Sequence, residues 1–190
     1  VISSTETAMS VKERIDNLNR KGNNIIGCYH GGKFGLDVIS KEYAKKEIAA
    51  LAVFDGIGYE GYMCSSPAFG YFIETGGELT PKEFAKEMAR VAKILSEKIP
   101  QGELFRRYRD NEIAKLLAKI GTKENTELLM EHGYDYAVLY QKEIELIPNG
   151  QNRLFKVFPI DSIMEIPRLF KDWRIYLQSI GVAIPKTRLI

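Results

Sequence analysis

Short apolar runs alternate with amphipathic stretches along this chain, and that alternation restricts its fold more than any other feature. Strand-length runs bounded by turn residues, interleaved with helix-length stripes, are the pattern of an α/β domain. Residues 3–21 read as the first helix. Ser3-Ser4-Thr5-Glu6 has capping-box spacing, Ala8, Val11, Ile15 and Leu18 share a face, and Gly22 supplies a stop. Asn24–Tyr29 reads as a short buried strand, His30-Gly31-Gly32-Lys33 as a turn and Leu36–Ile39 as a second strand. A helix is expected over Lys41–Phe54 with Ala44, Ile48, Leu51 and Ala52 inward. A glycine-punctuated segment from Asp55 to Gly61 and a strand over Phe69–Thr75 follow. The strongest helix signal covers Thr80–Ile99: a threonine cap, Pro81 at the first helical position, Glu83 at the capping-box position and a stripe of Phe84, Met88, Val91 and Leu95. Helices over Glu103–Ile120 and 124–131, strands over Tyr136–Gln141 and Leu154–Phe158, a short helix over 162–171 and a last strand over Tyr176–Ile184 complete the pattern.

The chain has 190 residues, enough to bury one core without a disulfide or metal staple. A net charge of +2 is too balanced for a nucleic-acid-binding surface. No apolar run approaches the roughly 18 residues of a membrane span, and Val1–Glu6 lacks the charged and apolar regions of a signal peptide. Two cysteines make no disulfide framework, and their spacing from His30 and His132 fits no zinc site. Thiols in a chain without export signals point to a reducing, cytoplasmic setting. The chain opens on Val1, as a strand end running into a helix, so a piece of a longer protein or a processed chain is expected.

Gly56-Ile57-Gly58-Tyr59-Glu60-Gly61 matches the letters of a dinucleotide-binding loop, but a helical pattern precedes it where a strand is required, so it reads as a glycine-rich turn. Cys64 is the sharper candidate. It follows that turn, precedes Ser65-Ser66-Pro67 and lies in no apolar stripe. Backbone N–H groups converging there would raise its thiolate fraction and stabilise an oxyanion formed on a thioester or carbonyl; on spacing alone a buried structural cysteine is the alternative. Cys28, between apolar neighbours, reads as structural. His30, beside Gly31-Gly32, is a turn residue that could orient a thiolate or move a proton, and His132 reads as a helix C-terminal residue. Arg106, Arg107 and Arg109 could meet phosphates but read as a solvated helix start, and Tyr134, Tyr136 and Tyr140 as packing.

Taken in order, these segments resemble the aldehyde dehydrogenase superfamily, in particular its acyl-CoA reductase branch, the fatty-acid reductases of the bioluminescence type. Ser3-Ser4-Thr5-Glu6 is similar to the superfamily's Gly-Ser-Thr-Glu segment beside the cofactor, and Tyr29-His30-Gly31-Gly32-Lys33 to its Glu-Leu-Gly-Gly-Lys segment. Cys64 follows Tyr29 by 35 residues, about the family's separation of general base and nucleophile, and Gly61-Tyr62-Met63-Cys64 is similar to its Gly-Gln-x-Cys. Cys64-Ser65-Ser66-Pro67, then a strand and a long helix, resembles the acyl-CoA reductases most. Arg153–Ile160 and Tyr176–Val182 are similar to that branch's C-terminal strands.

The resemblance implies an aldehyde-dehydrogenase-like catalytic domain, an open and mostly parallel sheet flanked by helices, over residues 29–190. Residues 1–28 would be the end of a nucleotide-binding domain. It implies NAD(P)H-dependent reduction of an acyl-CoA thioester to the aldehyde through an acyl-enzyme on Cys64, with His30 as acid/base help. Ser4, Thr5, Glu6, Gly31 and Gly32 would lie at an NADPH or NADH cofactor bound mainly by residues upstream. An acyl-CoA or acyl-carrier substrate and a homodimer or higher oligomer are further implications. Two departures stand out: Tyr29 replaces the general-base glutamate and Tyr62 the glutamine before the nucleophile. Loss of a water-activating glutamate suits an enzyme that must not hydrolyse its thioester. The family's ribose-contacting glutamate has no recognisable counterpart near Pro148–Asn152. The alternatives are a cysteine acyltransferase without redox chemistry and a truncated, non-catalytic relative.

Overall fold

The computed structural model describes residues 5–27, 34–58, 60–61, 66–102, 110–111, 113–115, 118, 125–131, 135–147 and 152–188. Helix α1, Thr5–Arg20, ends as its sequence dictates: the N–H groups of Lys21 and Gly22 bond the carbonyls of Leu18 and Asn19, and Gly22 takes a left-handed φ of 94°. The strand expected at Asn24–Tyr29 does not form over residues 24–27. The Asn19 side chain accepts from the Ile25 N–H and donates to its carbonyl, so no ladder forms there, and Ile26 is 94% exposed. Cys28 and Tyr29 lie outside the described residues.

Six strands follow: β1 Phe34–Ile39, β2 Tyr71–Glu74, β3 Thr126–Leu129, β4 Ala137–Gln141, β5 Leu154–Ile160 and β6 Leu177–Ala183. They lie in the order β3-β4-β5-β2-β1-β6, and every pairing is parallel except β3 with β4. This is the open, mostly parallel sheet expected. Its central strands are buried on both faces, as parallel strands with covered faces must be, so Tyr71-Phe72-Ile73-Glu74 is buried throughout.

Side chains alternate between two cores. On one face Ile39, Tyr71, Ile73, Phe155 and Val157 pack against helix α2, Lys46–Gly58, and helix α3, Pro81–Lys98. On the other, Leu36, Val38, Phe69, Phe72, Phe158 and Ile160 meet Ile166 and Phe170, with Trp173 packed against them. Phe72 stacks on Phe158 at 5.3 Å, and Phe69 meets Phe170 and Trp173 edge-on at 5.0 Å. Helix α3 carries the expected capping box: Thr80 Oγ1 accepts from the Glu83 N–H while the Glu83 carboxylate accepts from the Thr80 N–H.

Three further segments differ from their sequence signals. The helix expected at 124–131 is strand β3, because Thr126–Leu129 pairs antiparallel with Val138–Gln141 and tertiary pairing overrides a helical preference. The helix expected over Lys41–Phe54 is a 3-10 turn, Lys41–Tyr43, followed by α2, and Leu51 on α2 is 61% exposed rather than inward. Helix α2 also runs on through Asp55–Gly58, the segment that reads as a turn. The glycine there is a packing requirement: a Cβ on Gly56 would stand 2.3 Å from a ring carbon of Phe155.

Candidate active site

Alternation along β1 sends Leu36 and Val38 to one core and turns Asp37 to the face of Ile39, toward α2. An acid there opens a cleft in what would otherwise be apolar packing. The cleft has a volume of about 540 Å³ and is walled by Ile48, Leu51, Ala52 and Asp55 of α2, by Gly181–Ala183 of β6, and by Ser66 and Pro67. Asp37 lies over Gly181, whose absent side chain makes the room: a Cβ would fall 2.2 Å from Asp37 Oδ1. Burial, reinforced by the negative charge of Asp55 and opposed by the Gly181 N–H, pushes the Asp37 carboxyl up to about 7. Tyr71, fully buried beside them, donates its hydroxyl to the Ala52 carbonyl at 3.0 Å, and burial holds its pKa well above the ordinary value.

A raised carboxyl fixes the sign of a pH effect. The folded chain holds the Asp37 proton up to about pH 7, whereas the unfolded chain releases it near 3.8. Stability is therefore full below pH 3.8 and falls as pH rises toward 7. Asp37→Asn removes that loss while keeping the shape. Its thermal unfolding should match the parent at pH 4 and exceed it at pH 8 by about 2 kcal/mol, discounted for the open mouth of the cleft. Equal melting temperatures at pH 8 would show that Asp37 ionises freely.

A second polar cluster ties the exit of α2 to the entry of β5. Arg153, 1% exposed, donates from Nε to Glu60 Oε1 and Oε2 at 3.0 and 2.9 Å, from Nη2 to Glu60 Oε1, and from Nη1 to the Ile99 carbonyl at 2.6 Å. Gln101 Nε2 adds a bond to Glu60 Oε2 at 2.8 Å. The Asn152 N–H donates to the Glu60 carbonyl at 2.8 Å, and the Glu60 N–H to Ile57 at 3.3 Å. Glu60, Gly61, Asn152 and Arg153 all have left-handed φ, between 55° and 71°. For the three that carry side chains this costs roughly 1–2 kcal/mol each, so the surrounding bonds must hold them there.

The residues read from the sequence as functional are placed only in part. Cys64 and His30 lie outside the described residues, as do Ser4, Gly31 and Gly32. Thr5 and Glu6 open α1, their side chains undescribed. Tyr62, His132, Tyr134 and the arginines 106, 107 and 109 also lie outside. Both chain neighbours of the cysteine segment are described, however. Gly61 leads into it from the Glu60 cluster. Beyond it, Ser66–Gly70 is stitched down by bonds from the Ala68 N–H to Ser66, from the Gly70 N–H to Pro67 and from the Phe69 N–H to Gly35. Ser66 and Pro67 also wall the Asp37 cleft. Asp37 was the functional-looking residue sequence reasoning missed; its signal is a single acid inside the apolar run Leu36-Asp37-Val38-Ile39. The Glu60–Arg153 pair has no local signal, its members being 93 residues apart. Among the described residues no group of His, Cys, Asp and Glu side chains gathers as a metal site, and no helix is long and apolar enough to cross a membrane.

A family model described as acyl-CoA reductase (LuxC) matches residues 8–190. No curated protein matches the sequence. Among solved structures, a mutant of proline utilization A from Bradyrhizobium japonicum is similar with a TM-score of 0.63 at 17% identity, over 96% of this chain and 19% of that one. Lactaldehyde dehydrogenase from Escherichia coli follows with a TM-score of 0.58 at 10% identity, over 92% and 44%. An NAD-dependent benzaldehyde dehydrogenase from Corynebacterium glutamicum has a TM-score of 0.54 at 13% identity, over 92% and 45%. The fold is therefore aldehyde-dehydrogenase-like, and the chain spans less than half the length of each of these proteins.

Proposed function

The chain belongs to the acyl-CoA reductase (LuxC) family, and from that premise we propose that it forms the thiol-bearing part of an enzyme that reduces an acyl-CoA thioester to the aldehyde with NAD(P)H. The observation that carries the reading is the match of the family model over residues 8–190, which include Cys64 in its Gly61-Tyr62-Met63-Cys64 segment. Residues 29–190 act as the catalytic domain and residues 1–28 as the end of a nucleotide-binding domain. The protein works in the cytoplasm as a dimer or larger oligomer.

The Cys64 thiolate adds to the thioester carbonyl carbon, and negative charge moves to the carbonyl oxygen, where backbone N–H groups stabilise it. The bond from carbon to the coenzyme A sulfur breaks and the coenzyme leaves as a thiol, taking one proton. NAD(P)H, when bound, supplies the hydride that reduces the acyl carbon to the aldehyde level. The thiohemiacetal oxyanion left on Cys64 then collapses: the carbon–oxygen double bond re-forms, the carbon–sulfur bond breaks, aldehyde leaves and the thiolate returns. His30 holds or passes the proton. The sixteen-residue helix α1 fits the cofactor at its start, because the first N–H groups of a helix have no partners within it and suit a pyrophosphate. Ser4 and Thr5 would meet that group with Glu6 beside them, and Gly31 and Gly32 would let backbone approach the nicotinamide. The tyrosine at position 29, where the resemblance places a water-activating glutamate, protects the acyl-enzyme from hydrolysis.

The test is stoichiometric. The full-length protein, given a long-chain acyl-CoA and NADPH or NADH, should oxidise one nicotinamide for each coenzyme A released and each aldehyde formed. Coenzyme A release with no nicotinamide oxidised would overturn the reading in favour of a cysteine acyltransferase. No release at all would leave a non-catalytic relative.

A further inference from the structure

Strand β6 ends the sheet, and among the described residues no strand pairs with its outer side. In a parallel ladder alternate residues turn their N–H and C=O groups to the same neighbour. The Ala183 carbonyl accepts from the Ser40 N–H, and the register sets Leu36 beside Ile180 and Val38 beside Val182. Gly181 and Ala183 therefore bond β1, while the backbone groups of Gln178, Ile180 and Val182 face away from it. Edge strands are ordinarily guarded by charges, proline or a bulge. Leu177–Ala183 holds no charge and no proline, and its register shift lies at the start of the strand, between Phe34 and Gly35 of β1. Ile180 and Val182 stand about half exposed.

The acid cleft opens on this same edge, and its geometry says what a pairing strand would carry. Asp37 Oδ1 stands 2.2 Å from the place a Gly181 Cβ would take. The carboxyl group thus leans from β1 over the edge strand. It ends about one strand spacing, roughly 4.8 Å, from the line an added strand would follow. Asp55 lies on the α2 wall of the cleft, its negative charge set against that of Asp37. Among the described residues no lysine, arginine or histidine lines the cleft. A cation from outside would relieve that repulsion.

We propose that β6 is extended by a strand of a protein partner, largely apolar and carrying one lysine or arginine whose head group enters the cleft to meet Asp37 and Asp55. The outward backbone groups of Gln178, Ile180 and Val182 bond that strand, and its apolar residues cover the Ile180 and Val182 side chains on the opposite face. Leu51, exposed on the cleft wall, takes the stem of the long cationic side chain. Pairing supplies the affinity. The two acids supply the choice of partner, because a strand with an acidic or apolar residue at that position leaves them without a counter-charge. The proposal is independent of which residue carries acyl transfer.

The probe is a short blocked peptide of alternating valine and threonine with one central threonine replaced by lysine. It is labelled at one end and titrated with the full-length protein at pH 8, above the Asp37 value of about 7. Saturable binding is expected. Norleucine in place of the lysine should weaken it about tenfold or more, as should Asp37→Asn or Asp55→Asn. The norleucine peptide should bind the parent and Asp37→Asn alike, which isolates the charge contact. Asp37→Asn is expected to stabilise the free protein at pH 8, so binding lost there is not folding lost. Methylating the peptide amides that would pair should also weaken binding about tenfold or more, with the protein untouched; Val182→Pro removes an outward donor from the protein side and should act likewise. No saturable binding up to about millimolar peptide would overturn the proposal. Equal affinity of the lysine and norleucine peptides would overturn the role of the acids, and equal affinity of the methylated peptide would overturn strand pairing. Butylamine binding as tightly as the lysine peptide would make the cleft a site for free amines and overturn the partner strand.

Discussion

Replacing Cys64 with alanine is expected to abolish the acyl-enzyme and lower aldehyde production by roughly a thousandfold or more, because a covalent route has no substitute for its nucleophile. Serine at the same position should do little better, since a hydroxyl is far less ionised near neutrality than a thiol. Cys28→Ala should leave both steps intact. The measurement is the mass of the protein after incubation with acyl-CoA, together with the rate of aldehyde release. A gain of one acyl group on the parent and on Cys28→Ala, but none on Cys64→Ala, is the expected pattern. Normal aldehyde production by Cys64→Ala would end the covalent mechanism.

The second large effect concerns stability. Glu74, at the end of β2, is 3% exposed and gathers four donors: the N–H groups of Lys41 at 3.0 Å and Ile163 at 3.4 Å, and both terminal nitrogens of Arg188 at 2.7 and 2.8 Å. Arg188 also reaches the exposed Glu42. The Arg188 bonds, helped by the two backbone N–H groups against the cost of burial, hold the Glu74 carboxyl down to about 2. A depressed carboxyl contributes stability that is present above its unfolded value of 4.5 and is lost as pH falls through about 2. Glu74→Gln has one acceptor where four donors converge and no charge for Arg188. Its melting temperature at pH 7 should fall by about 5–10 °C. The gap to the parent should narrow progressively below pH 4. A neutral-pH melting temperature within 2 °C of the parent, beyond which roughly 1 kcal/mol is at stake, would show that the cluster only decorates the strand end.

Local chemistry made much of this fold legible in the sequence. Thr80-Pro81-Lys82-Glu83 opens α3 as its residues require, Gly22 ends α1, and the apolar run around Val157 is a strand buried on both faces. What was misread depended on partners distant in sequence. Thr126–Leu129 has no strand character of its own beyond what β4 gives it. Ile25 and Ile26 look buried by composition, but the Asn19 amide claims the Ile25 backbone before any strand can. The glycines at 56 and 58 announce a turn, yet the first is there to clear the Phe155 ring and α2 continues through both. The expected thiol site rests on motifs and resemblance, its central residues lying outside the described ones, whereas Asp37 and the Glu60–Arg153 pair depend on neighbours that only the folded chain brings close.

The sheet order has a further consequence, for biosynthesis. β1 lies between β2 and β6, and β6 comes last in chain order among the six described strands of the sheet. On the ribosome, β1 therefore waits with one side bare while residues 40–176 are added, on the order of ten seconds at ordinary elongation rates. Glu74 waits likewise for Arg188. Its charge stays uncompensated in the nascent chain until Arg188 emerges, so this sheet closes only once β6 has been made, and until then a chaperone has an open strand edge to shield.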